Sequence, residues 1–436
     1  MKNTRILAAV TALSVTGAIT AYRTETFTLA NSEIYPGTTH EVILTLSDGY
    51  RPDSTALLYV GLDGILCRAP QVFDSLAAAG ELRPVVGVYL QPGIIRDSVS
   101  GSVLRYNRSN EFDAITDRFA EFLDREVLPA VRKHGFADGT EVNWTDDAAD
   151  HLIFGLSSGG IAAFNAAWHR PDMWGKVFIG CGTFVPMRGG EQLQVLVRKT
   201  EPKPLKIFLQ DGFSDTWNPL FGSWYEANRM LASALEFAGY DCSFDWAEGG
   251  HSVRRATEIF PETVKWLYSA PVAPNPTGND FLAPLLVSGQ SWNEKTLTDR
   301  ADEVKATADY PGGGLRVTVE PESNVLLQSI IDVDGSEKYT QPFYWLHSID
   351  GRVLAKGGMT FDSGGNLWIV TSAGLQILDQ NGRVRGIIVL PAGLDINSTN
   401  IRLTDGAIEL NDGHHVFVRR LNTAPGIVRP NSQGQG

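Results

Sequence analysis

The chain has 436 residues, a net charge of −13, 43% hydrophobic and 20% charged side chains. That length exceeds one ordinary domain and predicts two, and the composition is that of a folded chain rather than a disordered one. The acidic balance argues against a nucleic-acid partner, which would need a basic surface to meet phosphates.

In chain order, Lys2 and Arg5 precede an apolar run from Ile6 to Ile19, followed by the small residues Thr20 and Ala21. A basic start, an apolar stretch and small residues predict a signal peptide over 1–21, and with it a periplasmic or secreted protein; without cleavage the chain would be cytoplasmic. The competing reading is a strand running into Tyr22–Leu29. The run is too short to span a bilayer, and no other stretch predicts a transmembrane helix. Asn107, Asn143 and Asn397 stand in glycosylation sequons, relevant only after secretion into a glycosylating compartment.

From Glu41 to Tyr268, β-rich runs alternate with helical patterns. Strands are predicted at Ala56–Val60, Pro84–Leu90, His151–Phe154, Val177–Ile179, Leu205–Leu209 and Cys242–Trp246. Helices are predicted at Asp117–Val131, Ile161–His169, Trp224–Ala238 and Ala256–Tyr268. Such alternation predicts an α/β domain over 22–269, a mostly parallel sheet covered on both faces. Pro271, Pro274 and Pro276 predict an extended linker over 270–280. Beyond it, short strands such as Leu367–Thr371, Leu375–Leu378 and Ile387–Leu390 are separated by Gly- and Asn-rich turns. A smaller all-β domain is expected over 281–425, with a disordered tail over 426–436.

Gly155-Leu156-Ser157-Ser158-Gly159-Gly160 lies between a predicted strand and a predicted helix, the context in which G-x-S-x-G exposes a nucleophilic serine on a tight turn. A serine hydroxyl needs a base, and in this arrangement the partners follow in the order Ser, acid, His. His251, in Glu248-Gly249-Gly250-His251, follows the strand Cys242–Trp246 and is the candidate base. The acid belongs after the strand Leu205–Leu209. Asp215 is preferred because it lies past the Gly212 turn, free to reach back; Asp211 is the alternative. Two backbone amides should hold the developing oxyanion, those of Ser158 and of Ile65, with Gly64 as the substitute for Ile65. Cys67, Cys181 and Cys242 match no metal or redox spacing, so no cofactor and no metal are expected.

These segments resemble the Putative esterase family of α/β-hydrolases from Tyr35 to Trp266. The likeness rests on Ile34–Thr38, Asn107–Asp113, Gly155–Gly160, Trp168–Asp172, Arg198–Pro204 and Gly249–Ser252. That family includes enterochelin, feruloyl and acetylxylan esterases, S-formylglutathione hydrolases and mycolyltransferases. Leu62-Asp63-Gly64-Ile65 is similar to the mycolyltransferase pattern, which implies the Ile65 amide as oxyanion donor. Arg108, Glu111 and Trp217, with Tyr106 and Arg188, are candidate substrate contacts, although Arg108 and Glu111 could instead pair with each other.

Gly358–Trp368 and Gly374–Asp379 resemble the last blades of the gluconolactonase and senescence-marker propellers. Six blades of about 40 residues need about 240, so a partial propeller or small sandwich is expected here. Gly357-Gly358-Met359 stands where that family carries an aspartate for a divalent ion.

Three functions compete: a serine hydrolase of carbohydrate or siderophore acyl esters, an acyltransferase to a sugar alcohol, and a non-catalytic carbohydrate-binding protein. The expected partner is a small-molecule or carbohydrate ester, and the C-terminal domain could pair subunits.

Overall fold

In the computed structural model the described residues are 22–53, 55–270, 279, 281–287, 289–296 and 304–422. The predicted signal peptide, most of the predicted proline linker and the tail from residue 426 lie outside them.

The first unit is built on one ten-stranded sheet. Its strands are β1 (Arg23–Ala30), β2 (Thr39–Leu46), β3 (Leu57–Leu62), β4 (Val85–Leu90), β5 (Ile94–Arg96), β6 (Val103–Tyr106), β7 (His151–Leu156), β8 (Lys176–Gly180) and β9 (Lys206–Gly212). A two-residue hairpin, β10 (Trp217–Asn218) and β11 (Gly222–Ser223), stands apart, and β12 (Asp241–Ala247) completes the sheet. The order is β12-β9-β8-β7-β3-β4-β2-β5-β6, with β1 on β2. From β12 to β4 the neighbours are parallel; β2 and β1 run antiparallel.

Alternation explains why the strands read as continuous apolar runs. In β7, Leu152 and Phe154 face one core and Ile153 the other; in β8, Phe178 opposes Val177 and Ile179. Each face is covered by helices, so both sets are buried. On one face Phe73 of α1 (Ala69–Ala78) meets Phe260 and shares a core with Val264 and Leu267 from the C-terminal helix of the unit. The other face carries α2 (Arg108–Phe112), α3 (Arg118–Phe122), α4 (Leu128–His134), α5 (Ser158–His169), α6 (Gln192–Lys199) and α7 (Trp224–Ala238). The C-terminal helix itself is α8 (Val253–Tyr268). The single helix predicted over Asp117–Val131 is α3 and α4 joined through a π-turn at Leu123–Val127. Its buried Phe119, Phe122, Val127 and Val131 stay on the core side. The architecture is that of an α/β-hydrolase.

An all-β region of antiparallel sheets follows. Three four-stranded sheets form among the described residues: Thr307–Trp345, Lys356–Ile388, and Asn400–Arg420 completed by Asn293–Lys295. The first strands of successive sheets touch. Gly357 and Gly358 lie within the strand Lys356–Phe361; a Cβ at Gly357 would sit 2.4 Å from the Ile396 carbonyl oxygen, so no carboxylate fits there.

This region is joined to α6 and the segment after it. Arg419 forms a two-point ion pair with Glu201 at 2.8 and 2.7 Å, and Val389 N donates to the same carboxylate at 2.7 Å. Asp350 N donates to Gln192 Oε1 at 3.0 Å.

Candidate active site

Ser157 occupies the turn between β7 and α5 at φ 58°, ψ −121°, a conformation that costs a non-glycine residue energy. The turn is tight because Gly155 has no side chain: a Cβ there would lie 2.1 Å from Gly159 O. The result projects the Ser157 hydroxyl from the C-terminal edge of the sheet. Its Oγ lies 2.8 Å from His251 Nε2, and His251 Nδ1 lies 2.7 Å from Asp215 Oδ1. With Nδ1 protonated, the imidazole donates to Asp215 and accepts from Ser157.

Two loops hold this line. Asp215 N donates to Gly212 O, closing the turn after β9, and Ser214 N donates to Gly249 O in the loop before His251. The loops that carry Asp215 and His251 are therefore stitched by their backbones. The Asp215 side chain is fully buried, while His251 keeps 30% of its side chain exposed, enough for water to reach it. Burial pushes the Asp215 carboxyl up, but the hydrogen bonds from His251 and the Thr216 amide, with the neighbouring Asp211 carboxyl, outweigh it and hold the carboxyl below its usual range.

Around Ser157 the structure adds residues that the sequence did not single out. Thr183 Oγ1 lies 3.4 Å from Ser157 Oγ and accepts from Trp224 Nε1 at 3.2 Å. The Trp224 ring stands edge-on to the imidazole, centroids 6.2 Å apart. Neither residue belongs to a motif; the only available signal was Thr183's position just beyond β8. Cys181, Asp215 and His251 are the one trio of metal-ligand type among the described residues, their ligating atoms within 4.8 Å. Two of the three already bond to each other, and burial pushes the Cys181 thiol up, against thiolate formation.

Of the two oxyanion candidates before α1, Gly64 N is spent on Leu90 O at 3.2 Å, which favours Ile65. Ser158 is the first residue of α5, where an N–H has no partner within the helix. Asp63, in the same loop at φ 64°, is gripped by Arg108, with Nε 2.6 Å and Nη2 2.7 Å from its two oxygens.

The structure separates the other candidates. Arg108 and Glu111 do not pair. Glu111 is wholly buried and accepts from Gly93 N at 3.0 Å and Asn107 Nδ2 at 2.6 Å, with His40 Nε2 at 3.1 Å. Its role as a substrate contact gives way to one of tying the β4–β5 connection to α2. Asn107 is buried in the same network, which removes it as a glycosylation site. Trp217 and Tyr106 are exposed, and Arg188 donates to Ser109 Oγ at 3.2 Å. A cleft of about 780 Å³ lies between Glu201–Pro204 and the β region at Trp292 and Phe417, and Ser157, Asp215 and His251 are not among its lining residues.

A family model described as Putative esterase matches residues 35–293, more than half of the sequence. The chain belongs to the Putative esterase family. The esterase is accordingly a carboxylic ester hydrolase. Solved structures similar to it include a ferulic acid esterase (16% identity, 57% of this chain and 98% of that chain, TM-score 0.43). The enterobactin esterase FES from Shigella flexneri matches at 22% identity over 57% of this chain, with a TM-score of 0.44. There the match spans only 59% of the other chain. The siderophore hydrolase EstB from Aspergillus nidulans matches at 18% identity over 61% of this chain and 99% of that chain, TM-score 0.41. No curated protein matches the sequence. No helix among the described residues is long and apolar enough to cross a membrane.

Proposed function

We propose that the esterase is a serine hydrolase that works through an acyl-enzyme on Ser157, with His251 as base and Asp215 orienting it. The observation that carries this is the continuous Ser157–His251–Asp215 line, with bonds of 2.8 and 2.7 Å. Ser157 Oγ attacks the ester carbonyl carbon as its proton passes to His251 Nε2. The negative charge that develops on the carbonyl oxygen meets the amides of Ser158 and Ile65 at the positive end of α5. Collapse breaks the ester C–O bond, and His251 returns the proton to the departing alcohol. Water then attacks the acyl carbon by the same route in reverse, with His251 again as base.

The substrate we infer is a small-molecule ester, an acyl ester of a carbohydrate or a siderophore. A panel of acetyl, feruloyl, glucuronoyl and siderophore esters separates these classes. Product analysis with an added sugar alcohol separates hydrolysis from acyl transfer. The decisive experiment is Ser157→Ala against a short-chain nitrophenyl ester. Turnover should fall on the order of a millionfold. Retention of more than a few per cent of activity rules out Ser157 as the nucleophile.

A further inference from the structure

Asp211 is the last acidic residue of β9, one turn before Asp215, and it is wholly buried. It is within hydrogen-bonding reach of Asp215. Two ionised carboxylates cannot bond to each other, since each only accepts. With both ionised, Asp215 Oδ2 is left buried with no donor.

The surroundings of Asp211 do not neutralise a charge. Its Oδ1 accepts from the amide of Gly212 at 2.7 Å. Its Oδ2 lies 2.9 Å from Asn228 Nδ2, but that nitrogen also faces Gly182 O at 2.8 Å and Trp224 O at 2.9 Å. The two hydrogens are shared among three acceptors, so Asp211 Oδ2 competes with both carbonyls for the amide. The charged and titratable groups on the packed elements are engaged elsewhere or share its sign. Cys181, beyond β8, is a buried thiol; Arg229 of α7 lies over the Trp246 ring; Arg255 of α8 pairs with Asp245 of β12. Glu226 of α7 is exposed. Glu236 of α7 and Asp241 of β12 share its sign, and Asp215 is bonded to His251. Burial, then the hydrogen bond and charge of Asp215, push the Asp211 carboxyl up.

We propose that Asp211 is a positioning residue that carries a proton and donates it in a hydrogen bond to Asp215 Oδ2, so that Asp215 Oδ1 is aimed at His251. This rests on Asp215 being the acid of the proposed relay. One bond to each oxygen holds the carboxylate against rotation, and the donated bond keeps Asp215 ionised when His251 becomes imidazolium. Ionisation of Asp211 at high pH would remove the donor and place a second negative charge beside the first.

The test compares Asp211→Asn with Asp211→Ala across pH, on a nitrophenyl ester. Asparagine keeps a donor for Asp215 and an acceptor for Gly212 N, and it cannot ionise. Asp211→Asn should hold kcat near the wild-type value at neutral pH and lose the alkaline fall of kcat that ionisation of Asp211 gives the wild type. Asp211→Ala should lower kcat roughly ten- to hundredfold with KM little changed, the worth of a hydrogen bond to a charged group. If Asp211→Ala does not fold, the pH profile of Asp211→Asn alone decides. Thermal melts give a second readout. In the unfolded chain Asp211 ionises at its ordinary pKa, while the folded form keeps its proton, so wild-type stability should fall relative to Asp211→Asn as pH rises above the ordinary carboxyl range. An Asp211→Asn enzyme as impaired as Asp211→Ala, or with the wild-type alkaline limb, overturns the proposal. Ser157→Ala and Asp215→Asn run alongside: if these stay active the relay itself is wrong, and if they are inactive only the role of Asp211 falls.

Discussion

Arg108 holds Asp63 by two parallel hydrogen bonds, Nε to Oδ1 at 2.6 Å and Nη2 to Oδ2 at 2.7 Å, and Asp63 sits in a left-handed backbone conformation two residues before Ile65. A strained turn persists only where its surroundings hold it. The guanidinium is therefore placed to hold the turn that carries the Ile65 amide, the oxyanion donor we propose, with Nε and Nη2 both committed. Arg108→Gln should lower kcat about tenfold to a hundredfold, short of the loss from deleting an oxyanion donor outright. Arg108→Lys should not restore it, because an ammonium cannot make the paired contact. Steady-state kinetics showing a pure KM effect would point instead to substrate binding.

Asp215→Asn should cost roughly ten-thousandfold in kcat. The change keeps the shape but presents the wrong group to His251 Nδ1, as the same substitution does in another serine triad. A loss under tenfold in kcat measured on folded protein would assign the acid elsewhere.

Glu111→Ala should act on stability. It removes the acceptor for Gly93 N and Asn107 Nδ2 and the partner of His40, all buried. Orphaned buried donors make the cost about 2 to 4 kcal/mol. Denaturant titration should show this, with KM unchanged in the folded fraction. A raised KM at unchanged stability would restore Glu111 as a substrate contact.

Arg419→Ala should loosen the two units from each other. It leaves Glu201 buried with only the Val389 amide as a described partner in that pair, at a cost of about 3 to 5 kcal/mol. Calorimetry should show a lower melting temperature, and separation of one transition into two would locate the loss at the join. An unchanged melt would mean the pair contributes nothing net.

Local pattern makes much of this protein legible from its residues alone. Apolar runs such as Leu152–Phe154 and Val177–Ile179 announce strands buried on both faces, because alternate side chains must each find a core. Gly155 and Ser157 announce the turn between β7 and α5, because only glycine permits the approach of Gly159. Order along the chain singles out His251, since loops after successive parallel strands gather at one sheet edge. What stays hidden depends on contacts between distant segments. Nothing at residue 108 names Asp63 as its partner, and nothing at residue 111 shows that its carboxylate is sealed against His40 and Gly93. Thr183 and Trp224 carry no motif and acquire meaning only where the end of β8 and the start of α7 meet beside Ser157. The two aspartates after β9 illustrate the division. Position along the chain prefers Asp215, past the Gly212 turn, and keeps Asp211 as the alternative. The folded backbone, by turning at Gly212 and bonding Ser214 to Gly249, brings Asp215 to the imidazole and leaves Asp211 one turn behind, buried where a charge cannot be solvated.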